Sequence, residues 1–291
     1  MHPTLLAALW MSGAIIAFTC MAIAGRAAAL DLDTFEIMLY RSVFGLIIVL
    51  IVARIMGTLG DINRQQLPLH FMRNIAHFAG QNLWFFAITV IPLAQVFALE
   101  FTTPVWVILL SPLLLQERIS KIGAVAALLG FLGILIVARP GMTPINIGLV
   151  CAALCAIGFA FSAIFTRKLT RTQSITCILF YLTAMQAIFG LVCAGIDGDI
   201  ALPTMATLPW VLLIGLAGLT AHFCLTTALS LAPATVVMPI DFTRLPIIAV
   251  VGFILYSEAV DIWVIVGGIT IFAANYINIR FGQAQTPPKP V

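Results

Sequence analysis

Two carboxylates stand inside long apolar stretches of the chain, and the residues around them are alike. Glu100 lies in "ALEFTTP" and Asp241 in "PIDFTRLP", so each acid is followed by a phenylalanine and then by a threonine, Thr102 or Thr243. An ionisable side chain in the middle of a membrane is expensive unless it is paired or binds something, so such groups are functional candidates. We expect these acids and threonines to contact a substrate, or one acid to carry a proton.

Three arginines offer a competing explanation, in which the acids only hold helices together. Asp241 would pair with Arg244, three residues later on the same helical face, and Glu100 would pair with Arg41 or Arg73. The alternative for Arg244 is to face a cavity, where its five N–H donors suit a carboxylate, a phosphate or ring carbonyls. The residue types leave both alternatives open, so Arg41 and Arg244 are candidate substrate-binding residues.

A polar stripe follows one face of the stretch "RNIAHFAGQNLWFFAITV". Arg73, His77, Gln81 and Trp84 recur there at helical spacing, which predicts a helix facing a wet cavity rather than lipid. We expect His77, Gln81 and Trp84 to bind substrate, with His222 opposite Gln81 in the second half, whereas Arg73 is expected to snorkel to the surface. The alternatives are hydrogen bonding between helices for the histidines and simple packing for the tryptophan.

Composition determines the broad class of protein. Of 291 residues, 62% are hydrophobic and only 9% charged, whereas a soluble domain carries about 25% charged residues. The chain therefore belongs in a bilayer, and no basic run indicates nucleic acid as a partner. Six scattered cysteines are interpreted as reduced and buried, so neither a metal nor another cofactor is expected. The absence of a phosphate loop, HExxH or GxSxG motif argues against an ATPase or another enzyme.

Ten stretches have the roughly 20 apolar residues that a membrane span needs. These predicted spans cover 4–25, 34–54, 69–90, 92–115, 121–138, 146–166, 174–195, 208–230, 233–256 and 262–280. Lys and Arg are concentrated on one side of the resulting topology, which predicts cytoplasmic N- and C-termini in a bacterial-type inner membrane. That side holds Arg54, Arg64, Arg73, Arg118, Lys121, Arg167, Lys168, Arg171, Arg280 and Lys289, and the other holds Arg26 and Arg139.

An internal repeat relates the two halves of the chain without gaps. At an offset of 141 residues, Glu100 meets Asp241, Pro92 meets Pro233, and further prolines, tyrosines and arginines also coincide. We therefore assign residues 1–141 and 142–282 to two repeats of five spans each, followed by a disordered cytoplasmic tail at 283–291. An odd number of spans turns the second repeat upside down, which predicts an all-α fold of two inverted repeats with a substrate site between them.

The paired stretches "PLAQVFALEFTTPVWVILLSPLLLQERIS" and "APATVVMPIDFTRLPIIAVVGFILYSEAV" carry a resemblance over nearly the whole chain. The chain is similar to the EamA family of the drug/metabolite transporter superfamily, most specifically in the glutamate before the fifth and tenth spans, Glu117 and Glu258. The resemblance implies a secondary transporter whose cavity is lined by the third, fourth, eighth and ninth spans. Members move solutes from vitamins and amino acids to metallophores, so no single substrate is implied. We interpret both glutamates as structural, because negative charge is favoured at a helix start.

Transport of a small polar metabolite is therefore the leading hypothesis. The negative charges of Glu100 and Asp241 and the positive charges of Arg41 and Arg244 sum to zero. A site without net charge suits a neutral or zwitterionic solute such as a riboflavin-like vitamin. Amino-acid-derived metabolites, including S-adenosylmethionine-like or metallophore-like solutes, fit nearly as well, and a non-transporting subunit or sensor is the alternative of another class. A proton, an ion, exchange or the solute gradient would supply the energy. Small-residue faces in the fifth and tenth spans suit packing within the monomer or a homodimer interface.

Overall fold

The computed structural model describes residues 3–91, 93–117, 120–138, 146–196, 198–256 and 262–281. Over these ranges the chain is helical, and none of the described residues forms a β-strand. The α-helices are α1 (Pro3–Ala28), α2 (Thr34–Ile55), α3 (Leu67–Val90), α4 (Leu93–Glu100), α5 (Thr103–Leu114), α6 (Lys121–Ala138), α7 (Ile147–Leu169), α8 (Ile175–Ala194), α9 (Leu208–Leu231), α10 (Ala234–Val237), α11 (Arg244–Tyr256) and α12 (Ile262–Phe281).

Helix length and hydropathy identify a multi-pass membrane protein. Six described stretches are long and apolar enough to cross a bilayer, namely α1, α2, α7, α8, α9 and the segment Ala234–Leu255. Shorter apolar helices lie at Thr103–Leu114, Lys121–Ile136 and Ile265–Ala274. Large apolar side chains point outward, including Ile16, Leu113 and Ile269, each more than half exposed. Such a surface would be an aggregation hazard in water and suits a hydrocarbon solvent.

The helix that carries Glu100 is broken next to that acid. Helix α4 ends at Glu100 and α5 begins at Thr103. Pro104 has no N–H to donate to the Glu100 carbonyl oxygen, the partner that it would have in a continuous helix. The hydroxyl of Thr103 donates to that oxygen instead, at 2.6 Å. The break therefore sets the acid at a bend without leaving its backbone oxygen unpaired.

The segment with Asp241 is irregular in a corresponding way. A short 3-10 helix, Met238–Thr243, separates α10 from α11 and contains the acid. Pro239 lies near its start and Pro246 near the start of α11. The predicted fourth and ninth spans thus each contain an interruption, and each interruption coincides with a carboxylate.

Helix boundaries repeat through the chain at the offset found in the sequence. Helices α2, α3, α5 and α6 begin at residues 34, 67, 103 and 121, and α8, α9, α11 and α12 begin at residues 175, 208, 244 and 262. Each start in the first set therefore recurs 141 residues later. The fold consists of two structurally equivalent halves.

The halves pack against each other along their lengths. Helix α1 lies along α9 and α3 along α7, two pairings that the 141-residue offset makes equivalent, while α2 lies along α8 and α6 along α12. The α3–α7 crossing depends on glycine. A Cβ atom on Gly158 would stand 2.9 Å from the Ala76 carbonyl oxygen and 3.0 Å from the Gly80 Cα atom. Small residues therefore let the two backbones approach closely, as in other membrane helix pairs.

The small-residue faces of the predicted fifth and tenth spans pack within the monomer. A Cβ atom on Gly133 in α6 would stand 2.9 Å from the Gly267 carbonyl oxygen in α12, and one on Gly130 would meet the Phe242 ring at 2.5 Å. These glycines are thus used by contacts inside one chain. The sequence suggested either packing within the monomer or a homodimer interface for these faces, and the observed contacts correspond to packing within the monomer.

Glu117 connects the two halves near the end of α5. Its carboxylate accepts from Arg167 Nε at 3.0 Å and lies 3.7 Å from Arg171 Nη2. It also accepts from the Ala234 backbone N–H at 3.1 Å, at the start of α10 rather than at the start of the following helix. The side chain is structural as expected, but it stabilises a different helix terminus. Its repeat partner Glu258 and the tail at 283–291 lie outside the described residues.

Candidate functional site

A single cavity collects most of the polar side chains singled out in the sequence. It encloses about 660 Å³ of empty space, counting the part open to solvent. Its described lining consists of Met11, Phe18, Met21, Arg73, His77, Gln81, Trp84, Glu100, Thr103, Phe159, Ser162, Ala163, Thr166, His222, Leu225, Met238, Asp241 and Arg244. The predicted third, fourth, eighth and ninth spans contribute, and so do α1 and α7.

The lining follows the internal repeat in position but not in residue type. Six lining positions of the first half recur in the lining 141 residues later. These pairs are Phe18 and Phe159, Met21 and Ser162, Gln81 and His222, Trp84 and Leu225, Glu100 and Asp241, and Thr103 and Arg244. The scaffold of the cavity is therefore symmetric, whereas several of its polar groups have no counterpart.

Glu100 and Asp241 meet at one guanidinium group. Nη2 of Arg244 donates to Oε1 of Glu100 and, at 2.8 Å, to Oδ2 of Asp241. The other oxygen of Glu100 accepts from Trp84 Nε1 at 2.6 Å. One cation thus joins the carboxylates of the two halves. Both alternatives for Arg244 are realised, because it forms ion pairs with the two acids and also lines the cavity.

Aromatic rings surround the charged head of Arg244. Its guanidinium carbon lies 5.1 Å from the ring centroid of Phe18, 5.3 Å from that of Phe97 and 5.0 Å from that of Phe101. Such cation–π contacts favour the charged form in a desolvated site. Arg244 is only 3% exposed, so this cluster is shielded from bulk water.

Arg73 forms a second polar group along α3. Its Nε donates to Thr166 Oγ1 at 3.1 Å and its Nη1 to Asn74 Oδ1 at 3.0 Å. Arg73 precedes Trp84 by eleven residues, or roughly 16 Å along the helix. The cavity therefore extends from the Arg73 group to the cluster of acids. The four lining charges, two acids and two arginines, sum to zero.

Several buried polar atoms between these groups lack a partner within the described part of the chain. They are His77 Nε2, Gln81 Nε2 and both ring nitrogens of His222. The two imidazoles pack edge to face with centroids 4.7 Å apart. Among the described residues, no group of three or more His, Cys, Asp or Glu side chains could hold a metal ion. The unpartnered atoms suit direct hydrogen bonds to an organic solute or to water.

Three of the residues nominated from the sequence lie beside the cavity rather than in its lining. The Thr102 hydroxyl donates to the Leu99 carbonyl oxygen at 2.7 Å, and that of Thr243 to the Ile240 carbonyl oxygen at 2.9 Å. Arg41 lines a smaller neighbouring pocket of about 250 Å³, which shares His222 with the main cavity. Arg41 Nη1 contacts Met38 Sδ at 3.7 Å. Glu100 pairs with Arg244, so the alternative in which it pairs with Arg41 or Arg73 is wrong.

Sequence reasoning also missed residues that the cavity contains. Arg73 was expected to snorkel, but it is 2% exposed because it is held by Thr166 on the adjacent α7. Its helical spacing with His77 was the signal that pointed inward. Phe18 and Phe159 lie on α1 and α7, and their identity at an offset of 141 was a usable signal for both.

A membrane-embedded helical protein with a polar cavity between two equivalent halves is a solute transporter in architecture. The sequence model of the family described as "EamA-like transporter family" matches the chain twice, over residues 5–139 and 146–280. The protein therefore belongs to the EamA-like transporter family. The two matched stretches correspond to the two structural halves.

Individual relatives are also similar to this chain over most of its length. A riboflavin transporter of Brucella anthropi is 31% identical over 73% of this chain and 76% of its own. An S-adenosylmethionine uptake transporter of Rickettsia bellii is 25% identical over 85% of this chain and 84% of its own. A crystal structure described only as a protein superposes with a TM-score of 0.79 at 16% identity, covering 95% of this chain and 97% of that one. It shows the fold alone.

Proposed function

We propose that the protein is a secondary transporter that moves a small polar organic metabolite across the inner membrane by alternating access. The observation that carries this function is the Glu100–Arg244–Asp241 cluster, in which buried charges from both halves meet in one cavity. A scaffold or sensor has no need of ionised groups at such a place, where they are expensive. Membership of the transporter family supports the same conclusion.

The proposed topology has ten spans in two inverted repeats, with both termini in the cytoplasm. Counting α4 with α5, and α10 with α11, makes five spans in each half. Rocking of one repeat against the other would expose the cavity to each side in turn. The backbone breaks beside Glu100 and Asp241 supply bending points next to the substrate. Contacts to the acids would then change together with the tilt of these helices.

A flat, polar and nearly uncharged molecule is the best candidate solute, and a riboflavin-like vitamin has these properties. The lining charges sum to zero, and the rings of Trp84, Phe18 and Phe159 offer surfaces for stacking. The riboflavin transporter among the relatives supports this choice. The proposed binding residues are Glu100, Asp241, Arg244, Gln81, His77, Trp84 and His222, with Arg41, Thr102 and Thr243 placed just outside.

An amino-acid-derived metabolite is the second candidate. The acids and Arg73 lie at separate places along the cavity, which suits a solute with both positive and negative groups. The S-adenosylmethionine uptake transporter among the relatives supports this candidate. Coupling to a proton would use Glu100 or Asp241, since a carboxylate in such a site is able to bind and release one.

Uptake into proteoliposomes tests both candidates in one assay. Labelled riboflavin and labelled S-adenosylmethionine are supplied separately to the purified protein and to its Glu100→Gln and Asp241→Asn variants. We expect flux of the transported solute to fall by about tenfold or more in each variant, because hydrogen bonds to charged groups contribute about 1.5–3 kcal/mol. The matched control is Asp61→Asn, which neutralises an exposed acid outside the cavity. Unchanged flux in both cavity variants would refute the proposed role of the acids.

A further inference from the structure

We propose that the part of the cavity around Arg73 binds an anionic group of the transported solute, and that this group is a carboxylate. The inference rests on the transport function proposed above and specifies the chemistry at one end of the solute. It favours the second of the two candidate solutes over the first, since an amino-acid-derived molecule has a carboxylate and a riboflavin-like molecule does not.

Arg73 is buried beside neutral partners. Its described hydrogen bonds go to the hydroxyl of Thr166 and the amide oxygen of Asn74, and no carboxylate among the described residues forms an ion pair with it. A buried charge without a counter-charge is costly, so a ligand that supplied one would be bound strongly. The described bonds use Nε and Nη1, which leaves Nη2 for such a ligand.

Neighbouring donors also lack partners within the described part of the chain. Gln81 Nε2 is a donor only, and a ring nitrogen of His77 or His222 is able to donate. Arg41 adds a further positive charge through the pocket that shares His222. A carboxylate has about four acceptor sites, so it satisfies several of these donors at once.

The Arg73 group and the cluster of acids differ in the sign of their net charge. In that cluster, Arg244 faces two carboxylates, so that group has a net charge of −1, whereas the Arg73 group is positive. A solute lying along α3 would therefore present its anionic group to Arg73 and its cationic or donor-rich group to Glu100 and Asp241. A phosphate would bring about two negative charges into a cavity whose lining charges sum to zero, so a singly charged carboxylate fits better.

The experiment compares two probes that differ only in the carboxylate, S-adenosylmethionine and its decarboxylated analogue. Dissociation constants are measured by calorimetry on the full-length protein and on Arg73→Gln, Arg73→Lys and the exposed-arginine control Arg54→Gln. We expect the protein to bind the carboxylate probe about 10- to 100-fold more tightly than the analogue. Arg73→Gln should remove that difference by weakening only the carboxylate probe, Arg73→Lys should restore most of it, and Arg54→Gln should change neither constant.

Three results would overturn the subsite. They are equal binding of the two probes, binding of neither, or an Arg73→Gln variant that weakens both by the same factor, as a purely structural role would. Riboflavin uptake in proteoliposomes keeps these results apart from failure of the transport function. If riboflavin is transported while the carboxylate makes no difference, the subsite is wrong and the transporter stands. If neither riboflavin nor S-adenosylmethionine is transported by the unaltered protein, both candidate solutes of the proposed function fail.

Discussion

Replacing Arg244 by methionine should destabilise the protein more than a typical substitution does. The change keeps an unbranched apolar side chain but leaves the buried Glu100 and the partly buried Asp241 beside each other without the cation that joins them. Arg244 is 3% exposed and Glu100 is 6% exposed, so the acids would lose their cation in a site with little exposure to bulk water. Breaking a buried ion pair by removing one member costs about 3–5 kcal/mol. At roughly 2–4 °C per kcal/mol, the melting temperature should fall by about 6–20 °C.

A triple variant separates the charge from the packing in this prediction. Arg244→Met combined with Glu100→Gln and Asp241→Asn removes every charge of the cluster, and Gln at position 100 still accepts from Trp84. We expect it to recover most of the lost stability, because no buried charge is left unpaired, while transport remains impaired. Thermal unfolding of both variants in the same detergent is the measurement. A single variant as stable as the original protein, or a triple variant no more stable than the single one, would refute the reasoning.

Two further predictions concern packing and hydrogen bonding. Gly158→Ala should destabilise the protein by roughly 1–3 kcal/mol, because its Cβ atom would press on the α3 backbone, whereas Gly60→Ala, with nothing within 4 Å, should not. Equal melting temperatures for these two variants would contradict the close α3–α7 approach. Trp84→Phe should cost about 1.5–3 kcal/mol through loss of the N–H that donates to Glu100, while the partly exposed Trp106→Phe should cost little. Thermal unfolding measures both, and equal losses from Trp84→Phe and Trp106→Phe would exclude the Glu100 hydrogen bond as the cause.

The helices and the repeat were accessible from the sequence because both leave strong one-dimensional signals. Apolar length indicates membrane helices, and rare residue types such as the paired acids recur at a fixed offset. Helix starts such as 67 and 208 reproduce that offset in the structure. The backbone breaks beside Glu100 and Asp241 were only partly foreseen. Prolines indicated kinks, but the location of each break depends on local hydrogen bonds such as that of Thr103.

The Asp241–Arg244 pair, three residues apart, was among the alternatives drawn from the sequence, and the structure forms it. The partner of Glu100 could not be read from the sequence, because it depends on how helices distant in the chain are arranged. Arg41 and Arg73 were the arginines considered as partners of Glu100, and neither of them is its partner. The tertiary fold brings Arg244 to it and directs Arg73 to Thr166 on α7. The threonines beside the acids shared a motif with them, yet their hydroxyls are taken up by preceding carbonyl oxygens. Proximity in sequence was therefore a poor guide to which side chains reach the cavity.

The two halves share one arrangement of helices but differ in the residues at equivalent positions. This difference has an energetic consequence for the proposed transport cycle. If the two inverted halves were identical, the states open to either side would have the same free energy, and the empty protein would populate both equally. Arg244 opposite Thr103, and Arg73 opposite Ile214, remove that degeneracy. The side that the empty cavity faces at rest therefore depends on the differences between the halves, and these two positions contribute buried charges to them. Exchanging the residues at 103 and 244 would move the charge of Arg244 from one half to the other.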